Sequence, residues 1–158
     1  MEPAAFLKGR TRETAIRRDA LGHWYDGPDP LTHPRLVESF DGWIRRAEDG
    51  RYCLSNDINW AYISLEGPPF FVRGVTLAPQ GVQLRLSGGG TEWLDPQTLR
   101  QGPDGALYCS ILAGELTARF DNSAAAGLES LLGEDEKGVY IALGGARVRP
   151  PVTDAPIR

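Results

Sequence analysis

Residues 36–55 read LVESFDGWIRRAEDGRYCLS. Leu36, Val37, Phe40, Trp43 and Ile44 fall at i, i+1, i+4, i+7 and i+8, which is one stripe of a 3.6-residue helix, while Arg35, Glu38, Asp41 and Arg45 lie opposite. Thr32 suits the N-cap and Pro34 the first turn, where a missing N–H costs nothing. Gly50 ends the segment and RYCLS opens a strand. The same order returns at 124–143, AAAGLESLLGEDEKGVYIAL. Subtracting 36, 37, 40, 43 and 44 from 124, 125, 128, 131 and 132 gives 88 each time, and the same offset carries Gly50 to Gly138 and Tyr52 to Tyr140. Upstream, Ile16-Arg17, Gly22 and Tyr25 map onto Leu99-Arg100, Gly105 and Tyr108 with an offset of 83. The pattern predicts a unit of strand, turn, strand, helix, turn, strand used twice, over about 15–66 and 98–149. One copy alone leaves much apolar surface bare, and two copies offer a mutual cover.

The fold class expected from this is α+β: two repeated strand/helix/strand motifs with largely antiparallel sheets packed around two amphipathic helices. A chain of 158 residues, 41% of them hydrophobic, suits a single domain spanning 1–158. Nineteen glycines and 12 prolines point to many strands and tight turns. AIRR and HWYD read as a first hairpin around Gly22, and GPDPLTHP as a connection. Alternation from Ile58 gives a strand that must stop at Gly67-Pro68-Pro69. FFVRGVTL and GVQLRLS make a hairpin in the region 70–94 that links the two halves, and SGGGTEWLDP reads as loop. ALYCSIL and ELTARF read as a further hairpin. The ends, residues 1–10 and 150–158, are expected to fray.

The net charge of -4, from 21 acidic and 17 basic residues, disfavours nucleic acid as a partner. No apolar stretch approaches the ~20 residues that span a bilayer, and the start lacks the order of a secretory leader, so no membrane partner and a cytoplasmic location are expected. Cys53 and Cys109 sit in β-like runs beside tyrosines, where a thiol packs as a small hydrophobe rather than as half of a staple. With His23 and His33 they show no metal-ligand spacing, so neither metal nor cofactor is implied. The glycines of SGGG lack the lysine of a phosphate loop, and EDG and EDEKG lack calcium-loop spacing.

Two stretches hold the candidate binding residues. His23, Trp24 and Asp26 form the densest polar-aromatic cluster, in which a histidine beside a carboxylate could serve as general base or simply sit at a solvated strand edge. Asn59 and Tyr62 lie in the second long strand beside Trp60, and aromatics of this kind serve recognition surfaces as well as cores. No catalytic residue is assigned.

Arg18-Asp19, Gly22, Trp24, Leu36-Val37, Phe40, Asp49-Gly50, Tyr52, Leu54, Ile63, Leu65 and Pro69-Phe70 form an ordered set that resembles the bacterial family called domain of unknown function 1285. Leu107-Tyr108, Ile111, Leu116, Ala118 and Gly138-Val139 resemble its later signature, so the likeness covers roughly 15–145. The resemblance implies an α+β fold with repeated motifs and a role in ligand binding or signal transduction. The chain departs from it at Asn59, Tyr62 and Gly67, where the family resembled carries Glu, Arg and Asp, and at Leu112, where it carries Arg. The expectation for function is a non-enzymatic module that binds a small ligand or a protein partner. A small hydrolase using a His/carboxylate pair and a protein-interaction subunit are the alternatives, and exposed strand edges would also permit a homodimer.

Overall fold

The computed structural model describes residues 12–154. The chain divides at Pro69/Phe70 into two compact units.

In the first unit, β1 (Ile16–Arg18), β2 (Trp24–Asp26) and β3 (Asp29–Leu31) run as an antiparallel meander, and β7 (Ser64–Leu65) joins β1 in parallel. The first hairpin forms as the alternation predicts, with Gly22 at φ 90 in its turn. The supposed connection GPDPLTHP contributes β3, with Pro30 opposite Tyr25 on the outermost strand, where a missing donor is tolerated. The helix Pro34–Trp43 follows, and then a second meander of β4 (Ile44–Arg46), β5 (Tyr52–Ser55) and β6 (Trp60–Tyr62).

The helix ends one residue before Ile44, although the apolar stripe continues through it. Ile44 is fully buried as the first residue of β4, paired with Leu54. A β-branched residue gains more from a packed sheet than from another helical turn, and burial overrides the local period. The helix itself buries no residue fully, and Leu36 is exposed.

In the second unit, six strands order as β10-β9-β8-β13-β12-β11. They are β8 (Phe70–Ala78), β9 (Gly81–Leu86), β10 (Thr91–Trp93), β11 (Arg100–Gln101), β12 (Leu107–Ile111) and β13 (Leu116–Phe120). Strands β8 and β13 pair in parallel, and the other neighbours are antiparallel. Part of the supposed loop SGGGTEWLDP is β10, paired along β9. The turn between β12 and β13 holds Leu112 and Ala113 at φ 51 and 56. With Gly114 at φ 88 they make three consecutive positive-φ residues, and the Gly114 N–H closes the turn onto Ile111 O at 3.1 Å. The Glu92 carboxylate accepts the Leu112 N–H at 3.2 Å from both oxygens, tying this turn to β10. A third meander closes the unit: β14 (Leu132–Asp135), β15 (Gly138–Leu143) and β16 (Ala146–Val148).

The α+β expectation of two amphipathic helices at the centre is overturned: the protein is mostly β, 45% strand against 15% helix, in four sheets with only two short α-helices among the described residues. The second striped segment holds just Asn122–Ala126 and a 3-10 turn at Glu129–Leu131 before β14 begins. Its stripe opens on Ala124 and Ala125, which bury little area, Gly127 ends the helix before Leu128 and Leu131 can extend it, and Leu132 is drawn into strand pairing with Ile141. Gly127 caps the short helix where a Cβ would come within 2.6 Å of the Val75 side chain.

Residues 1–10, expected to fray, lie outside the described residues. At the other end Gln101 donates its N–H to Pro151 O at 2.8 Å and accepts from the Thr153 N–H at 2.9 Å. Among the described residues no helix is long and apolar enough to cross a membrane, and no group of three or more His, Cys, Asp and Glu could hold a metal ion.

Candidate functional site

The β4-β5-β6 meander has two unlike faces because side chains alternate along each strand. Directly opposed residues share a face, so Ile44, Leu54 and Ala61 line one side, and Arg45, Cys53 and Tyr62 form a row across the other. Ser55 and Trp60 are the next pair on that second face. The register is set by two short connections. At Ala47–Arg51, the Ala47 N–H donates to Arg51 O at 2.8 Å and Gly50 sits at φ 87. At Asn56–Asn59, Asn56 Oδ1 accepts the N–H groups of Ile58 and Asn59 at 2.8 and 2.7 Å.

The second face is the floor of a concavity of about 530 Å³ lined by Arg45, Arg46, Ala47, Glu48, Asp49, Cys53, Ser55, Trp60 and Tyr62. Trp60 and Tyr62 meet edge to face, centroids 5.1 Å apart at 86°. Each ring also carries a cation, Arg12 at 3.9 Å from the Trp60 centroid and Arg51 at 3.7 Å from that of Tyr62. Such stacking fixes the rings while leaving the guanidinium edges for other partners. Residues 12–14 hold the outer edge of β6: the Tyr62 N–H donates to Arg12 O at 2.9 Å, and Thr14 Oγ1 donates to Tyr62 O at 2.6 Å.

The charges along the rim are ordered by hydrogen bonds. Tyr62 donates its hydroxyl to Asp49 Oδ2 at 2.7 Å. That bond is the main reason the phenol is held above its ordinary pKa and Asp49 below its own, so Tyr62 stays a donor and Asp49 an anion. Arg51 binds Glu13 through both nitrogens at 2.6 and 2.8 Å, which holds the carboxyl of Glu13 low. Arg45 donates to the carbonyls of Gly42 and Ile44, and Arg46 to Gly50 O and the Tyr52 hydroxyl. Cys53 lies beneath this layer with 4% of its surface exposed, and burial pushes its thiol up against the opposing influence of Arg45. A thiol so placed is a wall, not a nucleophile.

The sequence-derived candidates separate. Tyr62 lies in the concavity, and Asn59 precedes its aromatic wall with Oδ1 enclosed and unpaired. Trp24 is buried, its Nε1 donating to Asp41 Oδ1 at 2.9 Å. The same oxygen accepts from Arg18 at 2.9 Å, and Arg18, 1% exposed, also donates to the carbonyls of Pro68 and Pro69. A buried guanidinium needs such partners, which gives Arg18, Trp24 and Pro69 a shared packing role. His23 is largely exposed, and its Nδ1 lies 3.5 Å from Asp19 Oδ2. Asp26 is exposed at the end of β2, opposite Ile16 and Asp29. Neither His23 nor Asp26 lines the concavity. Arg45, Asp49 and Cys53 are the lining residues that sequence reasoning treated as helix face, helix exit and core. Their signal was the period-two pairing around Asp49-Gly50, which counts only once β4 is known to begin at Ile44.

No family model matches the chain, and no curated protein does. The fold is shared with two crystal structures. A DUF1285 family protein from Silicibacter pomeroyi DSS-3 matches with a TM-score of 0.66 at 18% identity, covering 99% of this chain and 89% of its own. A DUF1285 family protein from Shewanella baltica OS155 matches at 0.58 and 16%, covering 74% of this chain and 91% of its own. The resemblance seen in the sequence thus holds at the level of the fold.

Proposed function

We propose that this chain, which shares its fold with those two DUF1285 proteins, is a binding module whose β4-β5-β6 concavity takes a small anion carrying a flat heteroaromatic ring. The observation that carries the reading is the row Arg45, Cys53, Tyr62 beside Trp60: a guanidinium, a phenol and an indole converge on one concave sheet face. Arg45 supplies donors of the geometry that suits phosphate and carboxylate. Trp60 and Tyr62 supply ring surface, and Glu48 and Asp49 supply acceptors for amino or ring N–H groups. A purine mononucleotide combines all three features. The volume falls in the range of about 300–1,000 Å³ usual for small-molecule sites. Reversible binding of such a ligand is also what a signalling role would need.

A hydrolase reading has less support, because its histidine would have to sit beside a carboxylate in a concavity, whereas His23 faces Asp19 on an exposed edge.

The test is a thermal-shift screen of purine and pyrimidine mononucleotides and small aromatic carboxylates, followed by titration calorimetry. A ring-bearing anion is expected to raise the melting temperature, and Trp60→Ala to weaken its binding about ten-fold or more, as base stacking on an aromatic is worth about 1–3 kcal/mol. No shift across the panel, or a hit indifferent to both Trp60→Ala and Arg45→Gln, overturns the proposal.

A further inference from the structure

The β14-β15-β16 meander of the second unit has two unlike faces. Directly opposed residues share a face, so Leu132, Ile141 and Val148 form one row and Glu134 and Val139 the next, while Tyr140 and Arg147 lie on the other side. On the first face is an apolar hollow of about 380 Å³, walled by Leu107, Leu128, Leu132, Val139 and Ile141. Leu132 and Val139 are 49% and 61% exposed, so much of that wall is in water.

Leu132 belongs to the hollow and also to β14, an outer strand of its sheet. The direction of the backbone groups along that strand follows from the neighbouring turn. Gly144 and Gly145, at φ 56 and 81, close β15 onto β16 as a two-residue turn, which makes Leu143 and Ala146 a hydrogen-bonded pair. Alternation then turns Ile141 and Val139 toward the β16 side, and Tyr140 and Gly138 toward Gly133 and Asp135 of β14. The backbone groups of Leu132 and Glu134 are left facing outward. The Leu132 N–H is used, donating to Glu129 O. The Leu132 carbonyl and both backbone groups of Glu134 meet no hydrogen-bond partner among the described residues. The Glu134 side chain is exposed and likewise unpaired.

We infer that this edge is a docking site for an extended segment of a partner protein in which a basic and an apolar side chain alternate, added to the sheet as an antiparallel strand. Main-chain bonds to Leu132 O and to Glu134 hold the segment, and the side chains on one face of it are selected. Residues two apart on a strand face the same way, so a lysine opposite Glu134 sets an apolar residue opposite Leu132, at the wall of the hollow. Charge argues against a second copy of this chain as the occupant. Pairing β14 with itself along its length sets Glu134 opposite its own counterpart or opposite Leu132, and either leaves both carboxylates unanswered. The inference does not rest on the reading of the first unit's concavity: the residues are different, and so is the class of partner.

The probe is the capped peptide acetyl-Thr-Lys-Thr-Leu-Thr-amide, titrated to millimolar concentration into the intact, isotope-labelled chain and followed by amide chemical shifts. Shifts are expected at Glu134 and Val139, and none at Trp60 or Tyr62. Replacing the peptide's leucine by serine is expected to weaken binding about ten-fold or more, and replacing its lysine by glutamate about five-fold. N-methylation of the lysine amide blocks its bond to Glu134 O and should abolish binding. Glu134→Gln, at an exposed position that should leave folding intact, is expected to bring the lysine and glutamate peptides level, and Glu134→Lys to reverse their order, with circular dichroism confirming that both variants fold. No shift at the Glu134 amide overturns the proposal, as do equal binding by the leucine and serine peptides, tolerance of N-methylation, or a lysine preference that Glu134→Lys fails to reverse. A concentration-dependent dimer that protects the Glu134 amide would give the edge to a second copy and overturn it too.

Discussion

The hairpin β4-β5 and the hairpin β14-β15 each follow a helical segment, yet equivalent rows hold residues of opposite size. In the first unit Arg45 faces Cys53, a long side chain across from a small one. In the second Gly133 faces Tyr140, and the ring lies so close that a Cβ on residue 133 would be 2.4 Å from Tyr140 Cζ. The cause is one residue of loop. Ten positions separate Ile44 from its partner Leu54, whereas nine separate Leu132 from its partner Ile141. Because side chains alternate, that single residue turns the tyrosine to the other face. Tyr52 shares a face with Ile44 and Leu54, but Tyr140 points away from the face of Leu132 and Ile141. The lesson is that matched spacing in the sequence does not ensure matched surfaces: one hairpin builds a polar-aromatic floor and the other an apolar hollow.

The sharpest way to break this comparison is to truncate the two strand-opening residues. Ile44 is fully buried and Leu132 is half exposed. Ile44→Ala is expected to lower unfolding free energy by about 2–5 kcal/mol through lost burial and a cavity. Leu132→Ala should cost well under that, within about 1 kcal/mol. Urea unfolding of both variants measures the difference, and equal losses would mean the two hairpins share an environment after all.

Next in size is Gly133→Ala. The added methyl meets a ring rather than a flexible chain end, so about 1–3 kcal/mol of destabilisation is expected. Tyr140→Ala in the same chain should remove most of that coupling, and a double-mutant cycle reads it directly. Additive losses would show that the ring does not lie over Gly133.

The smallest effect separates the two thiols. Burial pushes Cys109 up to about 12, while at Cys53 the rise from burial is opposed by Arg45. Both groups keep their protons longer folded than unfolded, so their contribution to stability is complete below the unfolded thiol pKa of about 8.5 and is lost as pH rises toward the folded value. For Cys109 that window runs from about 8.5 to about 12. Stability should decline above pH 9, less steeply in Cys109→Ala. A thiol reagent at pH 9 should label Cys53 before Cys109, and the reverse order would contradict the assigned environments.

Much of the strand content was legible in the sequence. Period-two runs and turn glycines gave β1 with β2, β8 with β9 and β12 with β13, because such pairings are local and their turns carry a chemical signature. What misled was the 3.6-residue stripe. Its last member, Ile44, belongs to a strand, and the second stripe, which opens on two alanines and is cut by Gly127, sustains only a short helix. Of the residues lining the concavity, Tyr62 was among the candidates read from the sequence, and Asn59 stands just before its strand. Arg45, Asp49 and Cys53 were not, since their convergence depends on cross-strand register rather than on spacing along the chain.

By itself the sequence determined a turn-rich chain with paired local strands, a buried place for Cys109 and an ordered set of packing residues such as Arg18, Trp24 and Pro69. Only the tertiary structure decided which end of each striped segment became strand, which way Tyr52 and Tyr140 faced, and where polar groups met in a hollow. Local propensity acts over a few residues, while register and burial are settled by partners distant in the chain, and a shift of one position there reverses what a strand presents.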